Sequence, residues 1–289
     1  MAHTHNDRSI SRRIPGVIGA LALLGLGAGF AAQPSKLGDK PARTDAKGFA
    51  VVELYTSEGC SSCPPADAAL AALHARATKD ATPVYTLSFH VDYWNNLGWP
   101  DRFSTTGNTE RQHRYAKAFR ANSVYTPQAI VNGSAEFVGA DTSRLDTEVK
   151  AALAKPATAS VKLTQSPWQA DQVIGLRAEI EHAPAGALLC AALCEDGLSN
   201  DVKAGENRGR VLAHDSVVRD FQVSKIGDDG VVRVSLTPPK DLKASKASIV
   251  VFVQDAETMK VLGATGAALK AEPEAKAPRA TTQAPATPK

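Results

Sequence analysis

The 289-residue chain contains only four cysteines, two methionines and three tryptophans, and aromatic residues make up 6% of it. Charge of neither sign dominates: 33 basic residues against 30 acidic ones leave +3, and Arg8, Arg12 and Arg13 against Asp7 place +2 of that within the first 31 positions. The remainder is nearly neutral, so no basic surface is implied and nucleic acid is not an expected partner. No apolar run reaches the roughly 20 residues that a membrane-spanning helix needs. Also missing are GxSxG, HExxH, a Gly-rich phosphate loop followed by lysine, and any defensible pair of catalytic carboxylates, which weakens hydrolase and nucleotide-binding readings. With 43% hydrophobic and 22% charged residues, the chain is neither disordered nor fibrous.

What is present begins with a leader-like start. In MAHTHNDRSISRRIPGVIGALALLGLGAGFAAQPSK a basic region precedes an apolar run over residues 17–28 and then small residues, the layout of a secretory signal. Cleavage after Ala31 puts Gly29 and Ala31 at the two small-residue positions, and no cysteine there offers a lipid attachment point. Ser11-Arg12-Arg13 is compatible with the twin-arginine route. The expected location is therefore periplasmic or secreted, with a signal peptide over residues 1–31 and no stable membrane anchor after its removal. Cysteines exported to such a compartment tend to pair.

Residues 32–47 read as a linker. Residues 49–56 read as a strand, and 64–78 as a helix whose two prolines fall in its first turn, where a missing N–H costs nothing. A second strand follows over 82–89, then the aromatic, turn-rich HVDYWNNLGWPDRFSTTGN and a helix over 109–120. VYTPQAIVNGSAEFVG reads as two strands about the turn Asn132-Gly133. Asp141 or Thr142 caps a last helix with Leu145, Val149, Ala152 and Leu153 on its apolar face. That order is the order of a thioredoxin-like α/β domain, expected over residues 48–155. Over residues 157–268 apolar positions alternate in SVKLTQ, DQVIGLRAEIE, GALLCAALCED, RVLAHDSVVRDFQV, GVVRVSL and SIVVFVQD, which predicts an all-β antiparallel sandwich-like domain. Residues 269–289 are a Pro/Ala-rich tail expected to be disordered.

The chemistry centres on SEGCSSCPPAD. A CxxC between a strand and a helix faces its first sulfur toward free backbone N–H groups and the positive end of the helix dipole, which favours the thiolate. The thiolate attacks in disulfide exchange, and the second cysteine resolves the mixed disulfide. Thr126-Pro127 opens the strand after the middle helix. In a thioredoxin-like fold that position is a cis-proline beside the cysteine pair, and the preceding residue offers its backbone to an incoming chain.

VVELYTSEGCSSCPPAD, LSFHVDYWNNLGWPD, RQHRYA, VYTPQAIVNG and VKAGENRGRVLAHDSVVRDF together resemble a family of exported bacterial proteins with a thioredoxin-like domain, a domain of unknown function. The resemblance spans residues 49–221 and implies the fold more than an activity. Against the wider thioredoxin pattern, Gly59 stands in place of tryptophan before the first cysteine, and Ser-Ser in place of Gly-Pro between the two. The direction of electron flow is therefore left open. Glu58 opposes the helix end in setting the Cys60 thiol. Glu53 resembles the buried acid that takes the resolving thiol's proton in thioredoxins, at a spacing one residue longer.

The leading expectation is a thiol-disulfide oxidoreductase with Cys60 as nucleophile, Cys63 as resolving thiol and Thr126-Pro127 holding the substrate backbone. Its partners are protein thiols or disulfides, with no cofactor and no resident metal. The alternative is a non-catalytic binding protein whose CxxC is a structural bridge, or a Cu/Zn ligand set in which Cys60 and Cys63 join His90 and Asp92. His90, Tyr93, Trp94 and Trp99 otherwise read as a surface loop over the cysteine edge, forming a substrate groove with aromatic anchors. Cys190 and Cys194 lie four positions apart on a predicted strand. That separates their Cα atoms by roughly 13 Å, beyond the limit of about 7 Å for a disulfide, so two buried free thiols are expected. The turn-rich Gly205-Glu206-Asn207-Arg208-Gly209-Arg210 is expected to dock the second domain on the first.

Overall fold

Strand β1 (Ala50–Thr56) is buried along its whole length, as a central strand covered on both faces must be. The computed structural model describes residues 48–272; the expected signal peptide, the linker and most of the tail lie outside the described residues. After β1 come α1 (Pro64–Lys79), β2 (Val84–His90), α2 (Thr106–Phe119), β3 (Gln128–Val131), β4 (Ala135–Val138) and α3 (Thr142–Leu153). The later strands are β5 (Ser160–Gln165), β6 (Ile174–Glu181), β7 (Leu188–Glu195), β8 (Leu198–Asp201), β9 (Val211–His214), β10 (Val217–Lys225), β11 (Val231–Leu236), β12 (Ala247–Gln254) and β13 (Val261–Ala268).

Local chemistry accounts for the elements of the first half. Pro64 and Pro65 open α1, the Thr105 hydroxyl accepts from Asn108 N at the start of α2, and the Asp141 carboxylate accepts from Arg144 N at the start of α3, each meeting a need of a helix N-terminus. Asn132 and Gly133 both take positive φ, 47° and 60°, as a tight hairpin between right-twisted strands requires. Gly133 also admits no side chain: a Cβ there would stand 1.9 Å from the Met259 carbonyl oxygen.

The two expected domains share one sheet. Eight strands run in the order β13-β12-β7-β10-β2-β1-β3-β4, with β2 parallel to both β1 and β10 and the other pairs antiparallel. The boundary expected near residue 156 therefore does not interrupt the sheet: β7, β10, β12 and β13 continue it beyond β2. One face buries Val51, Tyr55, Leu87, Phe89, Cys190, Cys194 and Phe252 against Tyr115 of α2. On the other face, α1 and α3 cover Val52, Leu54 and Val131 at one end. At its opposite end a three-stranded antiparallel sheet, β11-β6-β5, packs Ile174, Leu176 and Leu236 on Leu189, Leu193 and Val251. RVLAHDSVVRDFQV, expected as one run, is broken at Ser216, which takes a φ of 56°. Its first part, β9, turns away to pair with β8. The resulting hairpin and the loop 202–210 between its strands carry residues of the site.

Candidate functional site

Cys60 and Cys63 form a disulfide with a Cα–Cα distance of 5.4 Å, and Cys63 is the N-cap of α1. Both cysteines are 0% exposed, whereas Ser61 and Ser62 between them are open to solvent. The Ser62 hydroxyl lies 3.4 Å from Cys60 Sγ. Thr126-Pro127 is a cis peptide, and the Thr126 hydroxyl accepts from Trp94 Nε1 at 2.9 Å.

A loop from the second half of the chain covers the pair. Asn207, itself buried, donates through Nδ2 to the carbonyl oxygens of Glu58 and Cys60, each at 2.9 Å. The Ser61 amide donates to Glu206 Oε2 at 2.9 Å. Gly205 and Gly209 take φ of 72° and 80°, a conformation that costs glycine little, and Arg210 Nη1 donates to Asn207 Oδ1 at 2.8 Å. The GENRGR segment thus does more than join two regions: its carboxamide is fastened to the CxxC turn.

Behind that turn lies a cluster of buried polar side chains. The Glu58 carboxylate accepts from Trp99 Nε1 at 2.8 Å, from Asn200 Nδ2 at 2.9 Å and from His214 Nε2 at 3.1 Å. The Asp101 carboxylate accepts from Glu58 N and Phe103 N, each at 2.9 Å, and from His90 Nδ1 at 2.6 Å. The two imidazoles meet edge to face with centroids 4.8 Å apart, and the Phe103 ring packs edge to face on both. Burial pulls the His90 imidazole down, but the charge and hydrogen bond of Asp101 outweigh it and the net shift is upward. Burial also opposes ionisation of Asp101, yet His90 and two backbone amides hold it below the usual carboxylate range. Asp67, one turn into α1, has its carboxyl raised by burial, with His214 and His90 opposing that shift.

Several expectations are revised by this geometry. His90 does not lie on a surface groove: it ends β2, which is interior at this point, and it is 0% exposed. Tyr93, Trp94 and Trp99 are part-buried, with Tyr93 donating to Gln112 Oε1 at 3.2 Å. Trp94 Cβ would be 3.0 Å from a Cβ on Gly59, so a larger residue before Cys60 fits only if Trp94 shifts. Asp92 turns toward the start of α2 and accepts from the Thr106 and Thr109 hydroxyls at 2.7 and 2.6 Å, not toward the cysteines. Among the described residues no group of three or more His, Cys, Asp or Glu is arranged to hold a metal.

Glu53 is not free to take a thiol proton. Arg111 clamps it through Nε and Nη2 at 2.6 and 2.8 Å, and the Tyr115 hydroxyl donates to it at 2.5 Å. Cys190 and Cys194 are free and buried on β7, and burial pushes the Cys190 thiol up to about 11. Sequence reasoning did not single out Asp67, Asp101, Asn207 or His214 as site residues. The signal available for three of them was position inside the motifs PPAD, GENRGR and VLAHD; for Asp101 it was WPD.

Fold and site together define an α/β protein with a covered disulfide at a helix N-terminus. The chain belongs to the family described as "Protein of unknown function (DUF1223)", whose model matches residues 51–254. A crystal structure of an Agrobacterium tumefaciens protein is 32% identical and matches 82% of this chain and 100% of its own, with a TM-score of 0.54. HBP35 of Porphyromonas gingivalis shares the fold at 18% identity, covering 85% of this chain and 82% of that one with a TM-score of 0.53. Among curated proteins none matches the chain.

Proposed function

We propose that this is an exported thioredoxin-like protein that exchanges thiols and disulfides through Cys60 and Cys63. The observation that carries the reading is the disulfide at the N-terminus of α1, set between a covering loop and a buried cluster of carboxylates and imidazoles. The order β2-β1-β3-β4 with a parallel first pair, the helices on both faces and the proline beside Trp94 support the thioredoxin-like assignment. Cys60 takes the part of nucleophile because the Ser62 hydroxyl lies 3.4 Å from its sulfur and its turn stands at the positive end of the α1 dipole, and Cys63 resolves. Protein thiols or disulfides are the substrates. Access requires the GENRGR loop to move, since both sulfurs lie beneath the surface.

That burial favours a second reading, a structural bridge in a non-catalytic binding protein. The reduction potential separates the two. Equilibration in glutathione or dithiothreitol buffers, with alkylated thiols counted by mass, gives a value between roughly −120 and −270 mV for an exchange pair and below about −300 mV for a structural one. For an exchange enzyme, Cys60→Ser abolishes turnover and Cys63→Ser traps a mixed disulfide; unimpaired turnover in either variant sinks the assignment.

A further inference from the structure

Among the described residues, four buried side-chain atoms have no hydrogen-bond partner: Thr56 Oγ1, Asp67 Oδ1, His90 Nε2 and His214 Nδ1. All four belong to the cluster behind the CxxC turn. Such groups are rare in folded proteins, and each one calls for an explanation. In this cluster the chemistry is specific. His90 presents Nδ1 to the Asp101 carboxylate and His214 presents Nε2 to the Glu58 carboxylate, so each carboxylate fixes the N–H on the nitrogen it faces. In the neutral ring the other nitrogen is a lone pair, and in the imidazolium it is a second N–H; either way it has no partner. Asp67 lies within electrostatic reach of both imidazoles and faces the Thr56 hydroxyl, which favours its ionised form; its Oδ1 is an acceptor whenever the acid is ionised. With both rings neutral and Asp67 ionised, three buried acceptor atoms share one hydroxyl, that of Thr56, and are short of protons.

We propose that Asp67, His90 and His214 form a shared-proton site that serves the Cys63 sulfur. Asp67 is the link: its amide donates to the Cys63 carbonyl at 3.1 Å, and a residue four places along a helix lies on the same face. When a substrate thiolate attacks Cys60 Sγ, a new S–S bond forms, the Cys60–Cys63 bond breaks and its electron pair leaves on Cys63. The site gives that thiolate a proton. A second substrate thiolate then attacks the substrate sulfur of the mixed disulfide, and Cys60 leaves as the thiolate. In the opposite direction the Cys60 thiolate opens a substrate disulfide and expels one substrate thiolate, the site takes the proton from Cys63, and Cys63 attacks Cys60 so that the second substrate sulfur leaves as a thiolate. Glu58 and Asp101 act as positioning residues that set the tautomers. Arg102 and Arg219, the nearby cations, stand over the Phe103 ring. The site spans α1, β2 and β9, so it is incomplete without the second half of the chain.

This inference rests on the exchange reading, and its test is kept separate by using both redox forms of the wild-type protein at equilibrium. Imidazole nitrogen resonances of His90 and His214 are followed against pH in the oxidised form and in the form reduced by a phosphine. The expected result is a different titration midpoint for at least one ring in the two forms. Identical titrations overturn the proposal even where the reduction potential is that of an exchange pair. A structural potential overturns the exchange reading and this proposal with it, whereas identical titrations at an exchange potential overturn the proposal alone. As a kinetic arm, Asp67→Asn should slow single-turnover reduction by 2-mercaptoethanol by roughly 10²-fold, the usual scale of a lost proton donor, and flatten its pH profile. A wild-type rate overturns the assignment of Asp67. So does stoichiometric zinc or copper in the purified full chain that is lost in Asp67→Asn, because a cation would then occupy the place of the shared proton.

Discussion

Two groups of buried polar side chains lie in this fold, and they are built on opposite rules. Around Arg111, which is 1% exposed, every contact is answered: the guanidinium grips Glu53, Tyr115 donates to the same carboxylate, and Gln254 joins Arg111 and Tyr115 from β12. Four aromatic rings, Phe89, Tyr115, Phe221 and Phe252, pack within 5.6 Å of the guanidinium carbon. Around His90 and His214 the outward partners are equally well placed, but each ring keeps one nitrogen unanswered. A closed network holds two parts of a core in register, whereas an open one stores the capacity to bind something small. Both cross from the first half of the chain to the second, so each explains in its own way why the halves share a sheet.

The closed network should fail hardest. Arg111→Met leaves the Glu53 carboxylate buried without its cation, which costs about 3–5 kcal/mol of stability, and pairing it with Glu53→Leu should recover most of that. Urea unfolding of the single and double variants checks this. A single variant as stable as wild type would mean that the ring of aromatics, not the ion pair, holds the region.

Next in size is the loop over the disulfide. Asn207→Ala leaves the Glu58 carbonyl without its Asn207 donor, at about 1–3 kcal/mol for an unsatisfied buried group, while the Cys60 carbonyl keeps the Cys63 amide at 3.2 Å. The larger consequence is local: reduction of the disulfide by a phosphine should accelerate about tenfold, since 1.4 kcal/mol of lost closure is a factor of ten in the open population. An unchanged rate would show that the sulfurs are reached by another route.

Asp67→Asn sharpens the contrast from the open side. Because the carboxyl is already disfavoured by burial and no partner atom is lost at Oδ1, the expected change in unfolding free energy is under about 1 kcal/mol, within the range of ordinary substitutions. A loss as large as that for Arg111→Met would mean that the cluster is structural after all.

How much of this was legible in the sequence depends on whether the signal was local. Pro64 and Pro65 at a helix start, Asn132-Gly133 at a hairpin and Asp141 at a cap are read from their immediate neighbours, and the structure places them as their chemistry suggests. The run of alternating residues around Cys190 and Cys194 identified β7 for the same reason. The join of β10 to β2 rests on one register pair, Val217 and Ser88, far apart in the chain, and periodicity says nothing about which strand lies beside which. Glu53 shows the limit most sharply: its place on β1, on the face of Val51 and Tyr55, was readable, but whether that face is covered was not, and its partner Arg111 sits 58 residues away. His214 looked like one residue of a long strand until Ser216 broke that strand and turned β9 toward the CxxC.

The smallest effect concerns two histidine–aspartate pairs that differ in burial. His90 and Asp101 are both closed to solvent, whereas His74 and Asp196 keep 28% and 27% of their side chains exposed at a separation of 3.2 Å. In both pairs the imidazole is raised and the carboxylate lowered: Asp101 outweighs burial for His90, and the hydrogen bond that His74 donates to Asp196 leads for His74. A lowered carboxylate stabilises the fold above its unfolded value of about 3.9 and loses that contribution as pH falls through the folded one. A raised imidazole does so below about 6.5 and loses it as pH rises through its folded value. Each pair therefore contributes fully between about pH 4 and 6.5 and fades on either side. Denaturation of wild type, His74→Gln and His90→Gln at pH values from within that window to well above neutrality should show the His90 difference shrinking above neutrality at any salt concentration. The His74 difference should be at most about 1 kcal/mol and fall further in salt, because solvent and ions reach it. If both differences prove equally salt-sensitive, His90 is reached by water, and the enclosed character of the cluster, on which its unanswered nitrogens depend for their meaning, fails with it.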